Sequence, residues 1–320
     1  MRMRFFFRIF ICVGPIATGA SGQVTTIRRP TAPQQIAVAA TPDLPLLVGM
    51  NSGHALQIDD MAGAAMQIID SGFKQSSSSA APVLGRGPTG QIIALVPGGI
   101  PSVRIQIPIT KWQFLDERLT DLVGMTFDAS GGVLYATSCQ KGQVIRYDMA
   151  SKDLQTIGSK GTGLGQLSCP EKIAVDAAGR IYVADGNRVV RMNDITGNGW
   201  TSFGEHGGGT GQFNYIRGLA VDRKNRIYVS DYFNNRLVRF EDMTGAGWAE
   251  YRSGITQPEG VAVDSYDRMY VALPVPNQIL RLDDISGAGL KIFTFPRSER
   301  LGGPKTILPM KRASGGGTIR

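Results

Sequence analysis

The segment AGRIYVAD at residues 178–185 decides the fold, because variants of it return along the chain at nearly regular distances. The other copies are KNRIYVSD at 224–231, YDRMYVAL at 266–273, GGVLYATS at 131–138, GQIIALVP at 90–97 and LPLLVGMN at 44–51. Equivalent positions are Leu46, Ile92, Leu134, Ile181, Ile227 and Met269, with intervals of 46, 42, 47, 46 and 42 residues. The chain therefore contains six units of about 45 residues.

Each unit holds several short β-strand patterns separated by turn residues. In one unit, GLAVD at 218–222 precedes IYV at 227–229, RLVRF at 236–240 and WAEY at 248–251. Short strands with turn signals between them are typical of antiparallel sheets, and four strands in a repeat of about 40–50 residues are typical of a propeller blade. The sequence predicts an all-β fold, a six-bladed β-propeller of four-stranded antiparallel blades, over residues 35–295.

A second repeated motif lies between the last two predicted strands of a unit. DMTGAGW occupies 242–248, with related segments at 60–66, 194–200 and 284–290. Its aspartate can accept backbone N–H groups in an Asx turn, and its glycines permit positive φ. The spacing lacks the alternating oxygen ligands of a calcium loop, so it indicates a structural turn. Turn caps are also predicted at the aspartates that end first strands, Asp128, Asp176, Asp222 and Asp264.

The stretch FGEHGGGTGQFNYIRGLAVDRKNRIYVSDYFNNRLVRF at 203–240 resembles an NHL repeat, and a second copy runs from Gly158 to Met192. The resemblance is strong over 122–295 and weak over 35–110, where the unit at about 83–112 lacks the Asp and Tyr of the pattern. It implies a six-bladed propeller of a kind that most often serves as a protein-interaction platform and sometimes binds RNA.

The two chain ends differ in composition from the repeats. Residues 1–20 carry three arginines, a short apolar stretch and small residues ending at Ala20, which is typical of a cleaved secretory signal peptide. An uncleaved interfacial anchor is the alternative. Residues 21–34 are predicted to be a linker and 296–320 a basic, flexible tail. No run of 18 apolar residues is present, so we expect no transmembrane helix after cleavage and a periplasmic or secreted protein.

The formal net charge of +8 comes from the chain ends rather than from the repeats. Residues 30–295 contain 23 Lys and Arg against 25 Asp and Glu. A phosphate-binding surface needs clustered basic side chains on the fold itself, so this composition argues against nucleic acid as a partner.

We expect function on the face formed by the loops between second and third strands, because these loops differ from one another while the opposite turns repeat. The candidate ligand-binding residues in these loops are Asn51, His54, Asp185, Asn187, Arg188, Asp231 and Asn235. The entry positions of first strands add Glu171, Arg217 and Glu259. The sequence predicts an exported, non-catalytic binding module that presents this face to another protein or a small ligand, with no cofactor.

A metal-dependent hydrolase or lyase is the alternative function. Propellers of the lactonase type hold a divalent cation at the channel mouth with Glu, Asn and Asp. Glu171 and Glu259, with Asn187 or Asn235, could likewise hold a hard cation such as calcium. Arg217 in the same ring would repel the cation or pair with a carboxylate, and the pairing is favoured.

The two histidines, His54 and His206, are too few for the zinc site of amidating-type lyases. Streptogramin-lyase-like enzymes use a His with a Glu, which makes His206 with Glu205 or Glu171 a second catalytic alternative. A solvated loop histidine is favoured over it.

Two cysteines lie in predicted loops on the same face of adjacent blades. Cys139 lies between the second and third strands of its unit, and Cys169 lies just before a first strand. An oxidising compartment permits a disulfide if the two Cα atoms lie within about 7 Å. The alternatives are a Cys139–Cys169 disulfide and two separate thiols.

Overall fold

The computed structural model describes the strands of the first third of the chain and nearly all of the remainder. The described residues are 46–50, 55–58, 66–69, 83–86, 88, 92–95, 103–106, 112–295 and 304–309. Pro42–Arg320 form one compact unit, and the preceding unit, Met1–Thr41, lies outside the described residues. The predicted signal peptide and linker therefore also lie outside them. Within the described part, no helix is long and apolar enough to cross a membrane.

The described residues form six four-stranded antiparallel sheets, which we number as blades in chain order. Blade 1 contains β1 (Leu46–Met50), β2 (Ala55–Ile58) and β3 (Met66–Ile69). Blade 2 contains β4 (Val83–Arg86), β5 (Ile92–Leu95), β6 (Val103–Gln106) and β7 (Trp112–Phe114). Blade 3 contains β8 (Gly124–Phe127), β9 (Val133–Ser138), β10 (Gln143–Asp148) and β11 (Leu154–Ile157).

The parallel pair β12 (Ser159–Lys160) and β13 (Gln166–Leu167) leads into blade 4. Blade 4 contains β14 (Pro170–Val175), β15 (Ile181–Asp185), β16 (Arg188–Met192) and β17 (Thr201–Phe203). A second parallel pair, β18 (Glu205–His206) and β19 (Gln212–Phe213), leads into blade 5. Blade 5 contains β20 (Ile216–Val221), β21 (Ile227–Asp231), β22 (Arg236–Phe240) and β23 (Ala249–Tyr251). Blade 6 contains β24 (Val261–Val263), β25 (Met269–Leu273), β26 (Gln278–Leu282) and β27 (Lys291–Thr294), and β28 (Pro304–Pro309) follows it.

The blades are arranged in a closed ring. One edge strand of each blade, here called its inner strand, contacts the inner strands of both neighbouring blades. The order of these contacts is β28, β4, β8, β14, β20, β24 and again β28. The prediction of an all-β propeller built from four-stranded antiparallel blades is confirmed.

The last strand completes the first blade. β28 pairs antiparallel with β1, with Ile307 opposite Val48 and Pro309 opposite Leu46, and thereby supplies the inner strand of blade 1. The sequence analysis instead ended the propeller at residue 295 and assigned 296–320 to a flexible tail. The difference arises because PKTILP at 304–309 lacks the AVD signature of other inner strands and is bounded by prolines.

The second strands of blades 4, 5 and 6 are buried along their whole length. β15, β21 and β25 have no exposed residue, because each blade is covered on both faces by its neighbours. The cores accordingly lie between blades, as where Tyr182 of blade 4 packs in one cluster with Leu219 and Val229 of blade 5. Blade packing thus accounts for the unbroken apolar runs such as IYV.

The turns between first and second strands are fixed by buried aspartates, as predicted. Asp222 accepts hydrogen bonds from the backbone N–H of Lys224 and Arg226, from the Arg226 guanidinium and from the Tyr228 hydroxyl. Blades 4 and 6 repeat the arrangement with Asp176 and Asp264. These carboxylates are saturated by the protein itself.

The DMTGAGW motif is also a structural turn. Asp242 Oδ1 accepts the backbone N–H of Thr244 at 2.8 Å, and the bonds from Thr244 hold the pKa of Asp242 below its ordinary value. Gly245 and Gly247 adopt positive φ, as the motif requires. Trp248, at the end of the motif, stacks on Phe240 with ring centroids 6.0 Å apart.

Removing β28 should destabilise the protein, because blade 1 would lose its inner strand and the ring its closure. A chain that ends after Gly303 should show a Tm lower by about 5 °C or more. A chain that ends after Pro309 should unfold at the temperature of the full chain. Differential scanning calorimetry of both truncations checks this, and equal Tm values would contradict a closing role for β28.

Candidate functional site

Four charged side chains alternate in sign along four consecutive inner strands. Arg217 on β20 reaches Glu171 on β14, with Nη1 3.1 Å from Oε2. Its Nε lies 3.5 Å from Oε2 of Glu259, which directly precedes β24. Glu259 Oε1 in turn lies 3.2 Å from Nζ of Lys305 on β28. We call these four residues the charged arc, and it links blades 4, 5, 6 and 1.

β-Bulges place the first two members of the arc. The register of β14 shifts between Pro170 and Lys172, and that of β20 between Ile216 and Gly218. The residues between them, Glu171 and Arg217, therefore have no direct partner in the ladder. A bulge re-aims a side chain relative to the regular strand, which lets these two side chains meet across the blades.

The arc is mostly withdrawn from solvent, and its charges stabilise one another. Glu259 is 5% exposed. Burial alone would lower the pKa of Arg217, but the negative charges of Glu259 and Glu171 outweigh it and raise that pKa above its ordinary value. The guanidinium is thus held charged between two carboxylates.

Two tyrosines pack against the arginine of the arc. The Arg217 guanidinium carbon lies 4.9 Å from the centre of the Tyr215 ring and 5.5 Å from that of Tyr232. Tyr215 donates its hydroxyl to Glu171 Oε1 at 2.6 Å, and burial together with this carboxylate raises the pKa of Tyr215 to about 12. Tyr215 also has a φ of 68°. Such backbone strain in a bulky residue is often found at functional sites.

Two predicted ligand-binding asparagines act as clamps between blades. Asn187 Oδ1 accepts the backbone N–H of Tyr215 at 2.7 Å, and Asn235 Oδ1 accepts that of Gln257 at 2.8 Å. Each clamp fixes the backbone just before the next inner strand. Asn187 thereby positions Tyr215 over the arc.

The predicted residues Asp185, Arg188 and Asp231 hold the linkers between blades. Asp185 is 2% exposed, accepts backbone N–H groups of Ser168 and Cys169, and pairs with Arg188 at 2.9 Å. Asp231, which is fully buried, makes the equivalent bonds to the backbone N–H of Asn214 and to a buried arginine, Arg236. These carboxylates are occupied by the fold. Asn51 and His54 lie outside the described residues.

The structure joins Cys139 and Cys169 in a disulfide, with Cα atoms 4.1 Å apart and a sequence separation of 30. The bond links the loop after β9 in blade 3 to the residue before β14 in blade 4. It therefore stands next to Glu171, at the start of the charged arc.

The residues predicted for a divalent cation are used in other ways. Both carboxylates pair with cationic side chains of the arc, and both asparagine oxygens accept backbone N–H groups. Among the described residues, no three His, Cys, Asp or Glu side chains are grouped to hold a metal ion. His206, proposed above as one member of a catalytic pair, is exposed on β18, and Glu205 beside it accepts a hydrogen bond from Gln212.

Sequence reasoning did not identify Lys305, Tyr215 or Tyr232 as site residues. Lys305 lies in the segment assigned to the tail, so no repeat marked it. Tyr215 directly precedes the inner strand of the best-matched repeat, and its aromatic side chain next to the charged entry position was an available signal.

Comparison with known proteins agrees with this architecture. Residues 213–240, from β19 to the end of β22, match the family model of the NHL repeat. The resemblance to NHL repeats is confirmed. No curated protein sequence matches the chain.

Several solved structures share the propeller fold with this chain. One is a chain of the nidogen/laminin complex, with a TM-score of 0.63, 13% identity, and 82% of this chain and 97% of that chain covered. Virginiamycin B lyase from Staphylococcus aureus has a TM-score of 0.53 and 12% identity, with 77% of this chain and 79% of that chain covered. A streptogramin B lyase has a TM-score of 0.55 and 12% identity, with 81% of this chain and 86% of that chain covered. At these identities the likeness shows the fold alone.

Neutralising the centre of the arc should destabilise the protein. Glu259→Gln keeps the size of the side chain but leaves Lys305 without its carboxylate and Arg217 with one instead of two. Removing one partner of a buried pair costs a few kcal/mol, and partial exposure of both cations reduces the expected loss to about 2 kcal/mol in the free energy of unfolding.

Urea denaturation measures this loss. Glu205→Gln, at an exposed carboxylate on β18, is the control and should change the free energy by less than about 0.5 kcal/mol. Equal effects of the two substitutions would show that the arc contributes nothing to stability.

Proposed function

We propose that the mature chain is an exported, non-catalytic binding module that docks another protein on one face of the propeller. This face, the loop face, carries the loops between second and third strands and the linkers between blades. The observation that carries the proposal is a set of exposed apolar side chains on the loop face. Phe233 is 56% exposed, Val275 61% and Leu164 82%.

The aromatic part of this surface is anchored to the fold. Phe233 contacts Tyr232 edge-to-face at 4.9 Å between ring centroids and lies 6.0 Å from Tyr215. Both tyrosines pack on Arg217 of the charged arc. An exposed aromatic side chain on a fixed support is a typical protein-binding anchor, because little conformational entropy is lost on docking.

The opposite face, which carries the repeated turns, is less suited to specific recognition. The aspartates that end first strands on this face, Asp176, Asp222 and Asp264, are buried and saturated by the protein itself. Its one large exposed aromatic among the described residues is Tyr266, whose ring covers the Arg268 guanidinium at 4.9 Å. Similar turns recur from blade to blade, whereas the loops of the other face differ.

Structures with this fold include a protein complex as well as enzymes. The propeller fold occurs in the nidogen/laminin complex and also in two lyases. The lyase alternative has less support in this chain, because Glu171 and Glu259 are paired with cations and His206 lies in an exposed linker strand. The exposed apolar surface favours a protein partner.

Export is supported by two independent features, the N-terminal sequence pattern and the disulfide between blades 3 and 4. Disulfides persist in oxidising compartments. Mass spectrometry of the natively produced protein, alkylated without reductant, should find a mature N-terminus at Ser21 and a peptide linked through Cys139 and Cys169. An intact Met1 with both thiols alkylated would contradict export.

A photo-cross-linker on each face tests the docking surface. Benzoylphenylalanine replacing Phe233 should give one discrete cross-linked species when irradiated in the native compartment, because that side chain would lie within the contact. The same replacement at Tyr266 is the control and should give none. Cross-linking that is equal at the two positions, or absent from both, would contradict the loop face as the binding surface.

A further inference from the structure

One inner-strand position breaks the pattern that its counterparts follow. Lys172 on β14 faces Ala184 across the ladder, just as Gly218 faces Ser230 and Gly124 faces Thr137. At Gly218 an added Cβ would lie 2.8 Å from the carbonyl oxygen of Glu259, on the neighbouring blade. Blades 3 and 5 therefore need glycine here, while blade 4 carries a long cationic side chain.

Lys172 belongs electrostatically to the charged arc. Burial lowers its pKa most strongly; the charges of Glu171 and Glu259 act to raise it, and those of Arg217 and Lys305 to lower it further. All four members of the arc therefore lie close enough to act on this amine. Lys172 is nevertheless only partly buried, as expected for an inner-strand residue that lines the inside of the ring rather than a core between blades.

The carboxylates of the arc are already engaged by other groups. Glu259 contacts both Arg217 and Lys305, and Glu171 accepts bonds from Arg217 and Tyr215. Within the described part of the chain, no hydrogen bond or ion pair reaches Nζ of Lys172. Three basic side chains share two carboxylates here, so Lys172 has no counter-ion of its own. Burial disfavours its charged form, and an anion bound beside it would supply the missing negative charge and restore that form.

We propose that Lys172 anchors a binding site for a small organic monocarboxylate inside the ring, next to the charged arc. One negative charge balances the cluster, whereas a phosphate dianion would overcompensate it. Arg217 connects the cluster to the rings of Tyr215 and Tyr232, so the carboxylate group lies by the lysine and the apolar body of the ligand lies towards these rings. Benzoate has both parts and is the probe of choice.

This inference rests on the proposed binding function, because the carboxylate site and the protein-docking surface both open on the loop face. The two sites would contact their ligands through different residues. Isothermal titration calorimetry with sodium benzoate should show saturable binding to the full chain. Lys172→Met, which keeps length and removes charge, should weaken binding at least tenfold. Lys224→Met removes a 65% exposed lysine from the turn face and should bind as the wild type does.

Lys172→Gly provides a second variant, because glycine occupies the equivalent position in blades 3 and 5. This variant should fold and should not bind benzoate.

Three results would overturn the proposal: unchanged benzoate affinity in Lys172→Met, a binding heat that NaCl of equal ionic strength reproduces, or a preference for inorganic phosphate over benzoate. Cross-linking at position 233 in Lys172→Met separates the two hypotheses. Its persistence with lost benzoate binding shows distinct sites, whereas its absence in the wild type overturns only the docking surface.

Discussion

The pairing of β28 with β1 is the constraint on which the rest of the structure depends. Until it forms, blade 1 has no inner strand and the boundary between blades 1 and 6 is incomplete. The same pairing brings Lys305 to Glu259 and so completes the charged arc. Because every core of this fold lies between neighbouring blades, closing the ring is what allows the first and last blades to bury apolar surface on both faces.

The repeated part of the fold could be predicted from the sequence because each blade repeats the same local physics. The IYV runs, the aspartates that end first strands and the DMTGAGW turns were each recognisable, and each has the predicted structural role. Residues 304–309 could not be placed, because a closing strand contributes to another copy of the repeat and has no motif of its own. Its identity depends on pairing with residues more than 250 positions earlier.

The candidate site was predicted only in part. Glu171, Arg217 and Glu259 were identified as entry residues of first strands, and the pairing expected for Arg217 is present in the structure. Asp185, Arg188 and Asp231 lie on the predicted face, but they hold the linkers between blades. A carboxylate at the start of a loop can accept backbone N–H groups as readily as it can bind a ligand, and the sequence does not distinguish these roles. Lys172 was overlooked because its significance depends on the glycines at the same position of other blades, where neighbouring strands approach closely.

The disulfide gives the ring a mechanical asymmetry. Cys139 and Cys169 join blades 3 and 4 by a covalent bond, whereas blades 6 and 1 meet through packing and the ion pair of Glu259 with Lys305. A force or fluctuation that opens the ring cannot part blades 3 and 4 without bond cleavage, so the ring must open at a boundary held by non-covalent contacts, such as that between blades 6 and 1. The ring therefore combines one covalently fixed boundary, between blades 3 and 4, with a boundary between blades 6 and 1 that can separate reversibly.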